Sequence, residues 1–385
     1  MRNLSWWTGP RAITQEVRDR RISWLELLSD LVYVTIIHQL TSGVIATLTW
    51  PRFGIFTLLF LVIFRNWVSM VQYFDRHGDE SLRTMFFTLA HVIAITVVAI
   101  FIPAVYAGHL TAFLVAYLVN QFLLTYIWLS TGIYDRGHRR AAWTYNIAHD
   151  LGLVVIAVGL FWPKPVIQYG VLIAWVLIDM LTDLFMVPIE DQEHRVRHLD
   201  YEISDSVIER YGQFTMIILG EAFATLVELA EGHFSMAFFL SLVDILCIWG
   251  IYYTSMGNLR LVISHYVDTL KYAYYNLLIV FSLFIHVLFV SRLLEGDTAI
   301  NRLGLSLSIL MLIALLYGFN VFLNQNFSAN LARAFGWTDG IALMILLLAL
   351  LLPVGWYMPV VIVTLLVLTS TKLMWQERRR EQGSN

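Results

Sequence analysis

Lysine is nearly absent: Lys164, Lys271 and Lys372 are the only three in 385 residues. All three fall at loops or span ends of the hydropathy pattern, which leaves no mid-membrane lysine for a Schiff base. Cysteine is scarcer still. Cys247 stands alone in an apolar run, so an intramolecular disulfide and any metal site built from several cysteines are excluded. Charge is thin: Asp, Glu, Lys and Arg make up 14% of the chain, and the formal net charge of −3 gives no basic character for nucleic acid. No Gly-rich loop ends in Gly-Lys-Ser/Thr, which argues against ATP-driven transport by this chain alone, and no His-Glu-x-x-His motif is present.

Apolar residues dominate what remains. They make up 58% of the chain, where soluble domains hold about 45–50%. The fold class is therefore all-α, a polytopic membrane protein. A hydrocarbon core of ~30 Å needs about 20 apolar residues per helix. Twelve segments qualify, near 23–46, 54–74, 84–106, 109–133, 143–161, 166–187, 212–231, 235–256, 270–291, 301–324, 337–353 and 356–375. The first carries Glu26 and Asp30, is too long for a signal h-region and has no small-residue cleavage site behind it, so it reads as an uncleaved span. Twenty Arg and Lys residues fall on one side of this twelve-span trace and four on the other, which predicts that both termini are cytoplasmic.

The spans also look duplicated. An offset of 191 residues lays each span of the first half on one of the second, and predicts a 6+6 parallel repeat about an axis along the membrane normal. The halves are 23–187 and 206–375, joined by a cytoplasmic linker at 188–205. A basic arm, 1–22, precedes them, and a basic tail with Arg378, Arg379 and Arg380, 376–385, follows.

Ionisable residues inside these spans carry the functional signal, because an Asp, Lys or Arg at mid-bilayer costs ~2.5–3.5 kcal/mol on insertion scales. Glu26 and Asp30 are four apart and share a helix face, as do Asp179 and Asp183. Asp30 and Glu221 occupy matching repeat positions with no cation in their own spans. They are the first candidates for an ion or proton path, with Glu26, His91, Asp150 and Asp179 beside them. Arg65 is the one deep cation and reads as a structural counter-ion for a carboxylate. No cofactor is demanded, although His38, His91, His149 and His286 leave haem or a metal open.

Three stretches carry a resemblance. Trp24-Leu-Glu26-Leu-Leu-Ser-Asp30-Leu, Glu209-Arg210-Tyr-Gly212-Gln-Phe214 through Gly220-Glu221, and Asn66-Trp67 followed by Tyr73-Phe74-Asp75-Arg76, Asp79 and Arg83 resemble the bacterial low-temperature-requirement A (LtrA) family, in order, over nearly the whole chain. Leu28-Ser29 departs from the aromatic residues that the family pattern places before the Asp. The resemblance implies an integral protein of the bacterial cytoplasmic membrane tied by name to growth in the cold, and supplies no reaction. Three classes of function stay open at this point: a proton- or ion-linked transporter or channel, an intramembrane haem or metal redox protein or membrane enzyme, and a cold-related sensor or scaffold. The partners implied are the lipid bilayer and a small ion or solute.

Overall fold

The computed structural model describes residues 8–13, 21–45, 47–199, 201–230, 232–257, 259–325, 327, 329–353 and 355–383, with the backbone alone for 329–334 and 376–383. Residues 1–7 and 14–20 of the basic arm lie outside the described residues, as do the side chains of Arg378, Arg379 and Arg380 in the tail.

Among the described residues the chain forms thirteen helices. They are α1 (Trp24–Ile45), α2 (Trp50–His77), α3 (Leu82–Ile100), α4 (Ile102–Tyr106), α5 (Thr111–Tyr134), α6 (Arg139–Phe161), α7 (Pro165–Arg197), α8 (Asp205–Ala230), α9 (Met236–Met256), α10 (Tyr266–Glu295), α11 (Ala299–Leu323), α12 (Ala329–Ala349) and α13 (Tyr357–Gly383). Their ends follow local chemistry. The side chains of Thr49, Ser81, Ser235 and Thr298 cap α2, α3, α9 and α11 by accepting from the first-turn amides. Pro103 lacks an N–H and breaks the third span into α3 and the five-residue α4. The stretch 188–205 is helical through Pro188 to Arg197, and His198 ends it with φ 54°.

Every one of the twelve sequence-derived spans coincides with a helix, α3 and α4 counting together. Among the described residues, eleven helices are long and apolar enough to cross a membrane.

Contacts divide the chain into two units, Met1–Phe214 with Ser264–Leu270, and Thr215–Ile263 with Lys271–Asn385. In the first, α5 packs on α3 and α6, α6 on α7, α1 on α2, α3 and α4, and α2 on α5 and α7. Met70, Tyr73, Phe74, Leu124, Ile127 and Trp128 form a buried cluster between α2 and α5. In the second, α9 packs on α11 and α13, and α12 on α11 and α13.

Helices in lipid approach closely where a small residue removes the side chain between them. On α6, a Cβ at Gly152 would lie 2.9 Å from the Trp175 ring, and one at Gly159 would lie 2.7 Å from Val171 Cγ2 on α7. Gly170 has nothing within 4 Å. Gly159→Val is expected to lower stability by about 1–3 kcal/mol through overpacking, and Gly170→Ala is not. Thermal unfolding of the two variants in detergent, side by side, checks this.

Candidate functional site

The first unit is built around a cation that the α1 pattern does not contain. Arg210, in the second turn of α8, is buried at 1% exposure and grips two carboxylates one turn apart on α1. Its Nε and Nη2 donate to Asp30 Oδ2 and Oδ1 at 2.8 and 2.6 Å, and Nη1 lies 3.3 Å from Glu26 Oε2. The two-pronged Asp30 contact is the geometry a planar guanidinium favours. Glu26 Oε1 accepts from Ser23 N and Oγ at 3.1 and 2.9 Å, and Trp67 Nε1 donates to Asp30 Oδ1 at 2.8 Å. Aromatic rings wrap the cluster: Trp67 packs on Phe214 and Tyr211 with centroids 4.4 and 4.9 Å apart, and Arg210 lies over Phe74. These rings exclude water and lower the local dielectric, so the charges act strongly on one another.

From this clamp a file of hydrogen bonds crosses four helices. Tyr33 OH, one turn above Asp30, donates to Asn66 Oδ1 at 2.9 Å. Asn66 Nδ2 donates to Asn120 Oδ1 at 2.5 Å, and Asn120 Nδ2 to His91 Nδ1 at 3.0 Å. His91 therefore carries its proton on Nε2, a buried atom with no partner. Tyr117 OH and the Gln121 amide, on the same helix as Asn120, are likewise buried and unpartnered.

Arg65, on α2, binds both acids of the other i,i+4 pair. Its Nε contacts Asp179 Oδ2, and its Nη1 lies 2.9 Å from Asp183 Oδ2. Asp179 lies about 21 Å along α7 from Pro165 at ~1.5 Å per residue. Beside it is a cavity of about 10 Å³ lined by Tyr145, His149, Trp175, Asp179 and Thr182. That volume holds about one water. Tyr145 OH continues to Tyr266 OH at 2.5 Å, and Tyr266 lies under Arg76, which pairs with Glu190 at 2.7 Å. Asp150, next in sequence to His149, is exposed and does not line this cavity.

The second unit holds smaller clusters. Glu221 is buried, and Thr225 Oγ1 approaches its Oε1 at 3.4 Å. His286 Nε2 meets Asp244 Oδ2 at 2.7 Å and Nδ1 meets Ser308 Oγ at 3.2 Å. The Ser308 hydroxyl spends its proton on Leu305 O, so it accepts from His286 Nδ1–H. Lys372, at the end of the span Tyr357–Trp375, is buried at 4% exposure and pairs with Asp339 at 3.0 Å. His38 is exposed on α1. The four candidate histidines therefore sit in four separate environments, and among the described residues no three His, Cys, Asp or Glu side chains gather as metal ligands.

The family model described as "Bacterial low temperature requirement A protein (LtrA)" matches residues 21–374. The chain belongs to that family. No curated protein and no solved structure matches it. The matched region of this LtrA-family chain contains the Arg210 clamp, the hydrogen-bond file and the Arg65 cluster whole.

Arg210, Tyr33, Asn66, Trp67 and Asn120 are site residues that charge-in-span reasoning passes over. Arg210 stands on the flank of its span, where basic residues ordinarily set topology, and the neutral four carry no charge to flag. The available signal was positional: Asn66-Trp67 and Arg210 fall inside the stretches that carry the family resemblance.

Outside the spans, Asp135 ties the α5–α6 turn to the start of the chain and the end of α7. It accepts from Ile13 N and Gly137 N at 3.1 and 3.0 Å and from Arg197 Nη2 at 3.0 Å. Burial pushes this carboxyl up. The Arg197 hydrogen bonds and charge, with the Ile13 and His138 amides, outweigh burial and hold it at about 2. A folded-state value below the unfolded ~3.9 contributes stability that is complete above the unfolded value and lost as pH falls through the folded one. Between about pH 4 and about pH 2 the wild-type Tm should therefore fall more steeply than that of Asp135→Asn.

Removing one partner of a buried ion pair strands the other, at a cost of about 3–5 kcal/mol. Arg210→Met should therefore destabilise by roughly that amount. The double variant Arg210→Met/Asp30→Asn should recover part of the loss, and a double-mutant cycle on thermal unfolding measures the coupling.

Proposed function

We propose that this LtrA-family protein conducts or transports protons or small cations across the bacterial cytoplasmic membrane, with both termini cytoplasmic and two six-helix halves related by duplication. The observation that carries the reading is the one-water cavity at Asp179. A carboxylate held by Arg65 and an imidazole, His149, share a space for water inside a unit of membrane-length helices. Such residues are costly in lipid and are retained where they bind or pass charge. Tyr145 and Tyr266 extend the polar route from the cavity to the Arg76–Glu190 pair at the far end of α2. Asp30, anchored by Arg210, holds the α1 end of the same unit, and Glu221 supplies the corresponding acid of the second half.

A cavity of one water favours protons and small ions over organic solutes. Asp150 is exposed, and its part in the path is the weakest of the acids first singled out. The protein in liposomes with an internal pH dye, under imposed proton and potassium gradients, tests the reading. Flux should fall by about tenfold or more in Asp179→Asn, Asp30→Asn and Glu221→Gln. Wild-type flux matching that of empty liposomes under every gradient, or flux untouched in all three variants, sinks it.

A further inference from the structure

Two histidines outside the path just described share an unusual arrangement. His77 ends α2 and His138 precedes α6, and each side chain is at 0% exposure. His77 Nδ1 lies 2.9 Å from the carbonyl of Arg11. A carbonyl only accepts, so His77 carries its proton on Nδ1. His138 Nδ1 lies 2.9 Å from Glu193 Oε2 and by the same logic donates to that carboxylate. Glu193 is itself fixed, its Oε1 accepting from Ala141 N at 3.0 Å. Both Nε2 atoms are therefore lone pairs when the rings are neutral. Both are buried and neither has a partner. Two unsatisfied acceptors in one buried spot call for something that satisfies both.

The geometry points to a site for a borderline transition-metal cation, with Zn²⁺ as its reference ion, held by Nε2 of His77 and Nε2 of His138. Three observations converge on it. The Nδ1–H of each ring is committed to a carbonyl or a carboxylate, the second contact that metal-ligating histidines use to fix tautomer and orientation. The ring centres lie 5.0 Å apart. A tetrahedral zinc with two Zn–N bonds of ~2.0–2.1 Å sets imidazole centres about 5 Å apart. The surrounding charge also suits a cation. Glu193, Glu190 and Asp135 stand around the pair, partly offset by Arg76 and Arg197, and Glu190 keeps an Oε2 that makes no hydrogen bond. Two imidazoles leave the remaining positions of a four-coordinate ion to water.

The cover over the site is the segment 8–13. Arg11 N donates to His77 O at 3.1 Å, Arg11 also donates to Asp75 O, and Ile13 N donates to Asp135 at 3.1 Å. Gly9 lies against the Tyr134 ring, where a Cβ would come within 2.3 Å of a ring carbon. An ion bound through His77 would therefore secure this segment to the end of α2.

The full-length protein, stripped with chelator and purified in detergent, is titrated with Zn²⁺ against a chromophoric chelator. About one tight site per chain is expected. The affinity should fall by more than about 100-fold in His77→Gln and in His138→Gln, and by about 10–100-fold in Glu193→Gln. It should be unchanged in the control His109→Gln. Zinc-edge X-ray absorption of the unaltered chain should show two imidazole ligands, a readout that does not depend on how the variants fold. No saturable binding, weakening by His109→Gln alone, or an absorption spectrum with no imidazole shell overturns the assignment. So does a ¹⁵N imidazole spectrum in which the two rings share one proton at neutral pH and excess Zn²⁺ leaves it unchanged.

Discussion

The guanidinium of Arg210 is the interaction on which the first unit depends. It enters from α8 and pairs with two acids on a helix that has no Lys or Arg of its own, in a spot lined by Trp67, Phe214, Tyr211 and Phe74. Each partner alone would be a buried charge in apolar surroundings. Together they let α1 keep Glu26 and Asp30 inside the unit, and they present Asp30 to the indole of Trp67. The neighbouring Asn66 then receives Tyr33, so two adjacent residues of α2 serve two different networks. Arg65, one residue earlier, reaches Asp179 and Asp183 on α7. Three consecutive side chains of a single helix thus organise polar contacts with α1, α5 and α7.

The polar groups are unevenly shared between the two units. In the first, two arginines each hold an i,i+4 pair of carboxylates. In the second, among the described residues, Asp244 pairs with His286 and Asp339 with Lys372. The hydrogen-bond directions around His286 place exactly one exchangeable proton between it and Asp244, either as imidazolium with carboxylate or as imidazole with carboxylic acid. Both forms are neutral as a pair, which is what a low-dielectric setting favours.

Much of the fold was legible because lipid imposes a simple rule: a span must be long, apolar and helical to satisfy its own backbone. That rule places all twelve segments on helices. The candidate site was legible only in part. Acids in apolar runs announce themselves by their cost, so Glu26, Asp30, Asp179 and Glu221 could be named. Which cation meets which acid depends on helix packing, and no spacing rule links Arg210 to Asp30 across 180 residues. Facing is equally hidden. His149 and Asp150 are neighbours in sequence, yet one lines the cavity and the other is exposed, because successive residues on a helix point about 100° apart.

The file from Tyr33 through Asn66 and Asn120 to His91 has a consequence of its own. All three bonds run donor to acceptor in the same sense. A carboxamide has no proton to surrender at physiological pH, so a hop along this file has nowhere to land. What the two asparagines pass between α1 and α3 is orientation: turning one amide over reverses the polarity its neighbour meets and obliges the next to turn as well. The file thus holds Tyr33 on α1 and His91 on α3 to one mutual polarity.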